Sequence, residues 1–233
     1  MSDEPWRGFC CEDLASIGYD GSAAGDDLEA WHEDGPRATT QELIDFLVAE
    51  GVAGATVLDI GAGVGIVHVS LLEAGAARAV DVDASREYLD AARDEAERRG
   101  LADRIEYRFG DVVALAANGA DGDGADDGAL PPADIVSADA VVCCYPYLPE
   151  FVGAATSVHP RLIGLTWPPD TWWSRAEMHA LNLWWTVIRK PDHWYIHRRR
   201  DLDRLMGEAG YELAYFGGTR WWKVVVYRQG ALP

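Results

Sequence analysis

The sequence predicts an α/β fold built on a doubly wound sheet that is mostly parallel and closes with an antiparallel C-terminal hairpin. Three observations predict it. Short apolar, β-branched runs alternate with stretches of helical period from residue 40 onward, as crossover-connected parallel strands require. A glycine-rich turn joins the first such run to a helix, and Gly217-Gly218 separates two strand-like runs near the end.

Taken in order, residues 1–38 are polar, glycine-bearing and weakly periodic, and read as an N-terminal cap segment with one short helix. Residues 39–233 read as a single domain with a substrate-covering insertion at about 167–200. Thr40 caps a helix through QELIDFLVAE, where Leu43, Phe46 and Leu47 share a face and Gly51 ends it. ATVLDI is a buried strand, GAGVG the turn, and IVHVSLLE the next helix, with Gly75 past its end. ARAVDVD is the second strand, followed by a helix capped by Ser85 and closed by Gly100. RIEYRF is the third strand and DVVALA a short helix or turn. NGADGDGADDGALPPA is a solvated acidic loop, because Ala125 stands where a calcium loop needs a ligand and the late Glu is missing. ADIVSADAVV and PRLIGLTW are the fourth and fifth strands.

The charge is uneven. The chain has 233 residues and a formal charge of −19, with 32 acidic and 9 basic side chains in residues 1–150 but 7 and 11 in residues 151–233. Eight of the ten tryptophans lie in the second part, which places an aromatic, cationic function there. An acidic chain lacks the cations that neutralise phosphates, so nucleic acid is not the expected partner. Nor is membrane, since no run of about 18 apolar residues occurs, and the start MSDEPWRGFCCEDL is unlike a signal peptide. A cytoplasmic location is expected, with Cys10-Cys11 and Cys143-Cys144 reduced. The sequence does not specify an oligomeric state.

The sharpest motif is Val57 to Gly65, VLDIGAGVG, followed by a helix and then by Asp83 at the end of the next strand, eighteen residues beyond Gly65. Glycines let the backbone turn and approach a ligand, the helix start offers unpaired N–H groups, and a strand-end acid can accept both ribose hydroxyls of an adenosine. A dinucleotide site needs its third glycine one position later, inside the helix. Here that position holds Ile66, and Asp59 precedes the glycines, where it can organise water or the ammonium of an amino acid. This combination suits S-adenosyl-L-methionine as cofactor. An NAD(P)-dependent oxidoreductase and a non-catalytic S-adenosylmethionine-binding module stand as the alternatives.

With these residues the sequence resembles the class I S-adenosylmethionine-dependent methyltransferases over roughly 40–230, through VLDIGAGVG, AVDVDAS, the Gly110-Asp111 pair, ADIVSADAVVCCYP and the closing hairpin. The resemblance implies a Rossmann-like sheet and methyl transfer to a small-molecule substrate at O, N or S, with no metal. It implies that Asp59, Gly61, Ala62 and Gly63 meet the methionine end, and that Asp83 with Ala84 meets the ribose. Asp111 with Val112 would meet the adenine, and Asp139 would lie beside the sulfonium. Asp134-Ile135-Val136, Tyr145-Pro146 and the N-terminal GYDG are also similar to magnesium-protoporphyrin O-methyltransferases. In those a histidine precedes Tyr-Pro, whereas Cys144 stands here.

The substrate cover is expected after the fourth and fifth strands. In TWWSRAEMHALNLWWTVIRK the residues Trp173, Ala176, Ala180, Trp184 and Val187 fall on one helical face, read as a face packed on the domain or as an aromatic pocket wall. HWYIH alternates like an edge strand, with His193, Tyr195 and His197 on one side. Pro168-Pro169 follows Trp167 rather than a polar acceptor, and so reads as a strand stop and not as a base-methylating loop. Cys143 and Cys144 read as small buried hydrophobes, with thiol or metalloid chemistry as the alternative. If a base is used, Tyr19, Tyr145, His193 and His197 are the catalytic candidates, with His159 beside them; a carboxylate acceptor, aromatic or otherwise, needs none.

Overall fold

The computed structural model describes residues 21–120, 130–187 and 194–230. Tyr19, His193, the Cys10-Cys11 pair and most of the acidic loop lie outside them. Seven strands form one sheet: β1 (Thr56–Ile60), β2 (Arg78–Asp83), β3 (Ile105–Phe109), β4 (Ile135–Ala138), β5 (Leu162–Trp167), β6 (Tyr211–Gly218) and β7 (Lys223–Gln229). Their order is β3-β2-β1-β4-β5-β7-β6, parallel except for β7, which runs antiparallel to both β5 and β6. The order in which strands are added reverses between β1 and β4, the switch point where such sheets open a ligand crevice.

Eight helices are described: α1 (Gly21–Asp34), α2 (Ala38–Ala49), α3 (Ile66–Glu73), α4 (Arg86–Arg98), α5 (Val112–Ala120), α6 (Leu148–Ser157), α7 (Trp172–Val187) and α8 (Arg199–Glu208). Alternate strand residues face opposite layers. Leu58, Val80, Val136 and Ile163 pack with Phe151, Leu202 and Met206 of α6 and α8. Val57, Ala79, Ile135 and Leu162 pack with Leu43, Leu47 and Leu71 of α2 and α3. Both faces of the central strands are therefore covered, which is why they read as continuous apolar runs.

Ser85 caps α4 as expected, its Oγ accepting the Tyr88 amide at 3.3 Å. The buried carboxylate of Glu95 fastens α1 to α4 by accepting from His32 at 3.0 Å and from Arg98 and Arg99. Burial alone would raise the Glu95 carboxyl, but those donors outweigh it and hold the pKa at about 2.

Three local expectations are corrected. Arg37, not Thr40, occupies the N-cap of α2, leaving Thr40 in the first turn with its hydroxyl turned elsewhere. Residues 194–198 form no strand, because their hydrogen bonds go to a turn and a helix instead of to a sheet edge. Most of the apolar face of α7 is not packed on the domain: Ala176 and Ala180 are exposed, Trp184 is 60% and Val187 67% exposed, and half-buried Trp173 meets Trp221 edge-on. No helix among the described residues is long and apolar enough to cross a membrane.

Candidate functional site

The site grows from the carboxyl ends of β1, β2 and β4. Gly61 leaves β1 at φ +60°, and its amide donates to the Val82 carbonyl at 2.7 Å. A Cβ there would sit 2.5 Å from Val141 Cγ2, so the loop after β4 packs where any side chain would be. Gly65 caps α3 at φ +85°, and a Cβ on it would meet the His68 ring at 2.8 Å. The third glycine thus makes room for a buried histidine of the protein itself, not for a pyrophosphate inside the helix.

Four carboxylates stand around this loop. Asp59 is buried, and its oxygens accept from Ser137 Oγ at 2.7 Å, His68 Nδ1 at 3.0 Å and the His68 amide at 3.2 Å. Ser137 is its direct cross-strand neighbour, so strand register creates this contact. Asp83 accepts the Gly63 amide on Oδ2 at 3.0 Å and the Ser85 amide on Oδ1 at 2.8 Å. Burial raises its pKa to about 6 against the lowering effect of those amides. Asp111 caps α5 through Oδ1, which accepts from the Val113 and Ala114 amides and from the Tyr145 hydroxyl at 3.2 Å. Its Oδ2 is buried without a hydrogen-bond partner among the described residues. Asp139 accepts from Thr40 Oγ1 at 2.5 Å and from Thr166 Oγ1, and burial raises its pKa.

These groups line one cavity of about 530 Å³. All nine positions expected to hold cofactor border it: Asp59, Gly61, Ala62, Gly63, Asp83, Ala84, Asp111, Val112 and Asp139. The residues fit an adenosine-bearing group. Gly61, Ala62 and Gly63 border the cavity, Asp83 retains lone pairs beyond its bonds to backbone amides, and Asp111 Oδ2 is an acceptor with no hydrogen-bond partner among the described residues.

The rest of the wall comes from the cap and from the segment after α7. Arg37 and Thr40 border the cavity from α2, and Cys143, Cys144 and Tyr145 from the turn after β4. Trp194 and Trp222 add aromatic surface. Trp194 is held at both backbone groups by one side chain: Asn182 Nδ2 donates to its carbonyl at 2.8 Å and Asn182 Oδ1 accepts its amide at 3.0 Å. The Tyr195 amide donates to the Cys143 carbonyl at 2.6 Å, completing a strap across the turn.

Of the acid–base candidates, Tyr145 borders the cavity, but its hydroxyl is bonded to Asp111. His197 donates Nε2–H to the Tyr145 carbonyl at 2.8 Å, since a carbonyl can only accept, and burial lowers its pKa. It positions the turn and does not border the cavity. His159 lies just before the amino end of β5, away from the carboxyl ends that carry the site, with Nδ1 on the Ser157 carbonyl. Tyr19 and His193 fall outside the described residues. Among the described residues no cluster of three or more His, Cys, Asp or Glu is arranged to hold a metal ion. Sequence reasoning missed Arg37, Thr40, Asn182 and the cavity-facing role of Trp194; only the aromatic bias of residues 167–222 pointed toward the last.

Residues 31–215 match the model of a methyltransferase domain family. The ribosomal protein L11 methyltransferase of Aeromonas hydrophila is 42% identical over 72 residues, 31% of this chain and 25% of that protein. The chain therefore matches about a quarter of the length of that curated relative. Magnesium protoporphyrin IX methyltransferase from Synechocystis, solved with bound SAH, superposes with TM-score 0.70 at 19% identity, covering 94% of this chain and 100% of that one. An O-methyltransferase family protein from Burkholderia thailandensis gives 0.68 at 17% identity, covering 94% and 63%. At these identities the structural likeness concerns the fold. The family match spans most of the chain, and the chain belongs to the class I S-adenosylmethionine-dependent methyltransferase family.

Proposed function

We propose that this protein transfers a methyl group to a small-molecule acceptor, carboxylate-bearing or aromatic, inside the cavity described above. The observation that carries this reading is the convergence of Asp83, Asp111 Oδ2 and the glycine loop on one cavity whose far wall is aromatic and thiol-bearing. S-adenosylmethionine supplies the electrophilic methyl group when bound. Asp83 with Ala84 would hold the ribose, its carboxylate accepting from the hydroxyls, and Asp111 with Val112 would hold the adenine, Asp111 Oδ2 accepting from the amino group. Gly61, Ala62 and Gly63 lay backbone along the methionine portion. Asp59 acts through the loop, because its carboxylate oxygens already accept from His68 and Ser137.

The acceptor end has the features of a positioning site. Trp194 and Trp222 give flat apolar surface, and Arg37, ion-paired with Asp27 at 3.3 Å, puts a cation on the cap side. Neither Tyr145 nor His197 is placed as a base, since one hydroxyl is bonded to Asp111 and the other ring supports a backbone carbonyl. An acceptor already ionised at neutral pH, such as a carboxylate, needs no proton removed, so holding it in line is sufficient catalysis. The acidic bulk of the chain favours a small molecule over nucleic acid.

The test is labelled-methyl transfer from S-adenosylmethionine to a panel of aromatic carboxylic acids, phenols, amines and thiols. Methyl esters are the expected products. Asn182→Ala should raise KM for the acceptor with cofactor affinity unchanged, because it frees Trp194 alone. Cofactor binding with no transfer to any acceptor class would instead make the chain a binding module.

A further inference from the structure

Two features of the turn after β4 are unused by methyl transfer as described. Val142–Cys144 is a short 3₁₀ turn, and it follows Ala140, whose φ of +61° is a conformation that residues other than glycine seldom adopt. The outcome is that consecutive cysteines, whose side chains diverge in extended chain, lie on one side. Their sulfurs are 3.9 Å apart, and both direct S–H toward the Ala140 carbonyl, Cys143 at 3.4 Å and Cys144 at 3.7 Å. Both residues border the cavity. The strap bond from Tyr195 to the Cys143 carbonyl holds this conformation from above.

We propose that Cys143 and Cys144, at the border of the cavity, form a chelating dithiol site for trivalent arsenicals of the type R–As(OH)2. Each thiol replaces one hydroxyl: two As–S bonds form, two As–O bonds break, and both thiol protons leave in two molecules of water. No oxidant or reductant is involved, and arsenic stays trivalent. The hydrogen bond with Cys144 and burial both push the Cys143 thiol pKa up. Cys143 thus enters as a neutral thiol, and its proton leaves in the water formed. Soft sulfur donors suit a soft centre. Because the sulfurs share one turn, the second bond forms within the molecule, which stabilises the pair over either thiol alone. The adduct would occupy the end of the cavity assigned above to the acceptor. That consequence rests on the proposed function, whereas formation of the adduct does not.

The probe is phenylarsine oxide, applied to a Cys10→Ser/Cys11→Ser chain so that the other vicinal pair is removed. Intact-mass measurement should find one arsenical per chain, released by a dithiol and retained in excess monothiol. Cys144→Ser in that background should weaken binding by about 100-fold through loss of the chelate, and Cys143→Ser, folded by circular dichroism, should do the same. S-adenosylhomocysteine should still bind the adduct. Absence of an adduct, or one that survives either serine substitution, would overturn the site. An adduct that abolishes S-adenosylhomocysteine binding would overturn its placement at the acceptor end. Absence of methyl transfer by the unmodified chain, with the adduct still forming, would count only against the functional reading.

Discussion

Thr40 Oγ1 donates to Asp139 Oδ2 at 2.5 Å, joining the first turn of α2 to the tip of β4 across the wall of the cavity. The bond spans 99 residues of sequence and makes the cap helix part of the site. Asp139 is half-buried and its other oxygen is taken by Thr166, so loss of Thr40 leaves a half-buried acceptor without its partner. Thr40→Val is expected to cost about 1–3 kcal/mol of stability and to weaken cofactor binding, while Thr40→Ser retains both. Urea denaturation and calorimetric titration of the two variants check this.

Asp83 gives the site a pH dependence. Its pKa in the folded protein is about 6, raised mainly by burial. Only the ionised carboxylate accepts from two ribose hydroxyls, so protonation opposes binding. Affinity for S-adenosylhomocysteine should be level above about pH 7 and fall roughly tenfold per unit below about pH 6. Asp83→Asn should flatten that profile and weaken binding by about 1.5–3 kcal/mol at neutral pH. A wild-type affinity that does not change between pH 5 and pH 8 would remove Asp83 from the role.

Gly61→Ala tests the close approach of the two loops. A left-handed conformation costs an L-residue about 1–2 kcal/mol, and crowding of Val141 adds about 1–3 kcal/mol. The loop after β1 should shift and cofactor binding should disappear from calorimetry. The double variant Gly61→Ala/Val141→Ala should recover part of the lost stability, because Val141 Cγ2 is the atom met at 2.5 Å.

Asp81 is a liability at neutral pH. It lies in β2 directly beside Asp59, fully buried, and neither carboxylate oxygen has a hydrogen-bond partner among the described residues. Burial, then the neighbouring Asp83 and Asp59, raise its pKa well above the usual carboxylate value. A raised folded pKa means that its stabilising contribution is complete below the unfolded pKa and is lost as pH rises through the folded one. Asp81→Val should therefore stabilise the protein by roughly 1–2 kcal/mol near pH 8 and by less near pH 4. Thermal melts at the two pH values decide it; equal effects at both would refute the buried-acid account.

Much of the fold was legible because the sequence repeats one physical unit. Apolar strand runs, Ser85 at a helix start and Gly51, Gly75 and Gly100 past helix ends each act locally, and each is found as read. That Asp59, Gly61 to Gly63, Asp83 and Asp111 border one cavity was legible for the same reason, since they sit at strand ends within a few residues of a turn. The opposite wall was not. Thr40 meets Asp139, and Asn182 clamps Trp194, through contacts that no local period encodes. HWYIH has the alternation of a strand, but the backbone groups of Trp194 and the amide of Tyr195 are claimed by Asn182 and Cys143. The apolar period of α7 is real, yet period alone does not say whether a face meets the domain or lies exposed.

The central claim is that the cavity takes an adenosyl amino acid and not a dinucleotide. Calorimetric titration of the intact chain at pH 7.5 with S-adenosylhomocysteine, S-adenosylmethionine, NADH and NADPH tests it most directly, with Asp83→Asn run alongside. The account predicts one site for the two adenosyl ligands, weakened in Asp83→Asn, and no heat from either dinucleotide. Saturable binding of NADH or NADPH with none of the adenosyl ligands would contradict it.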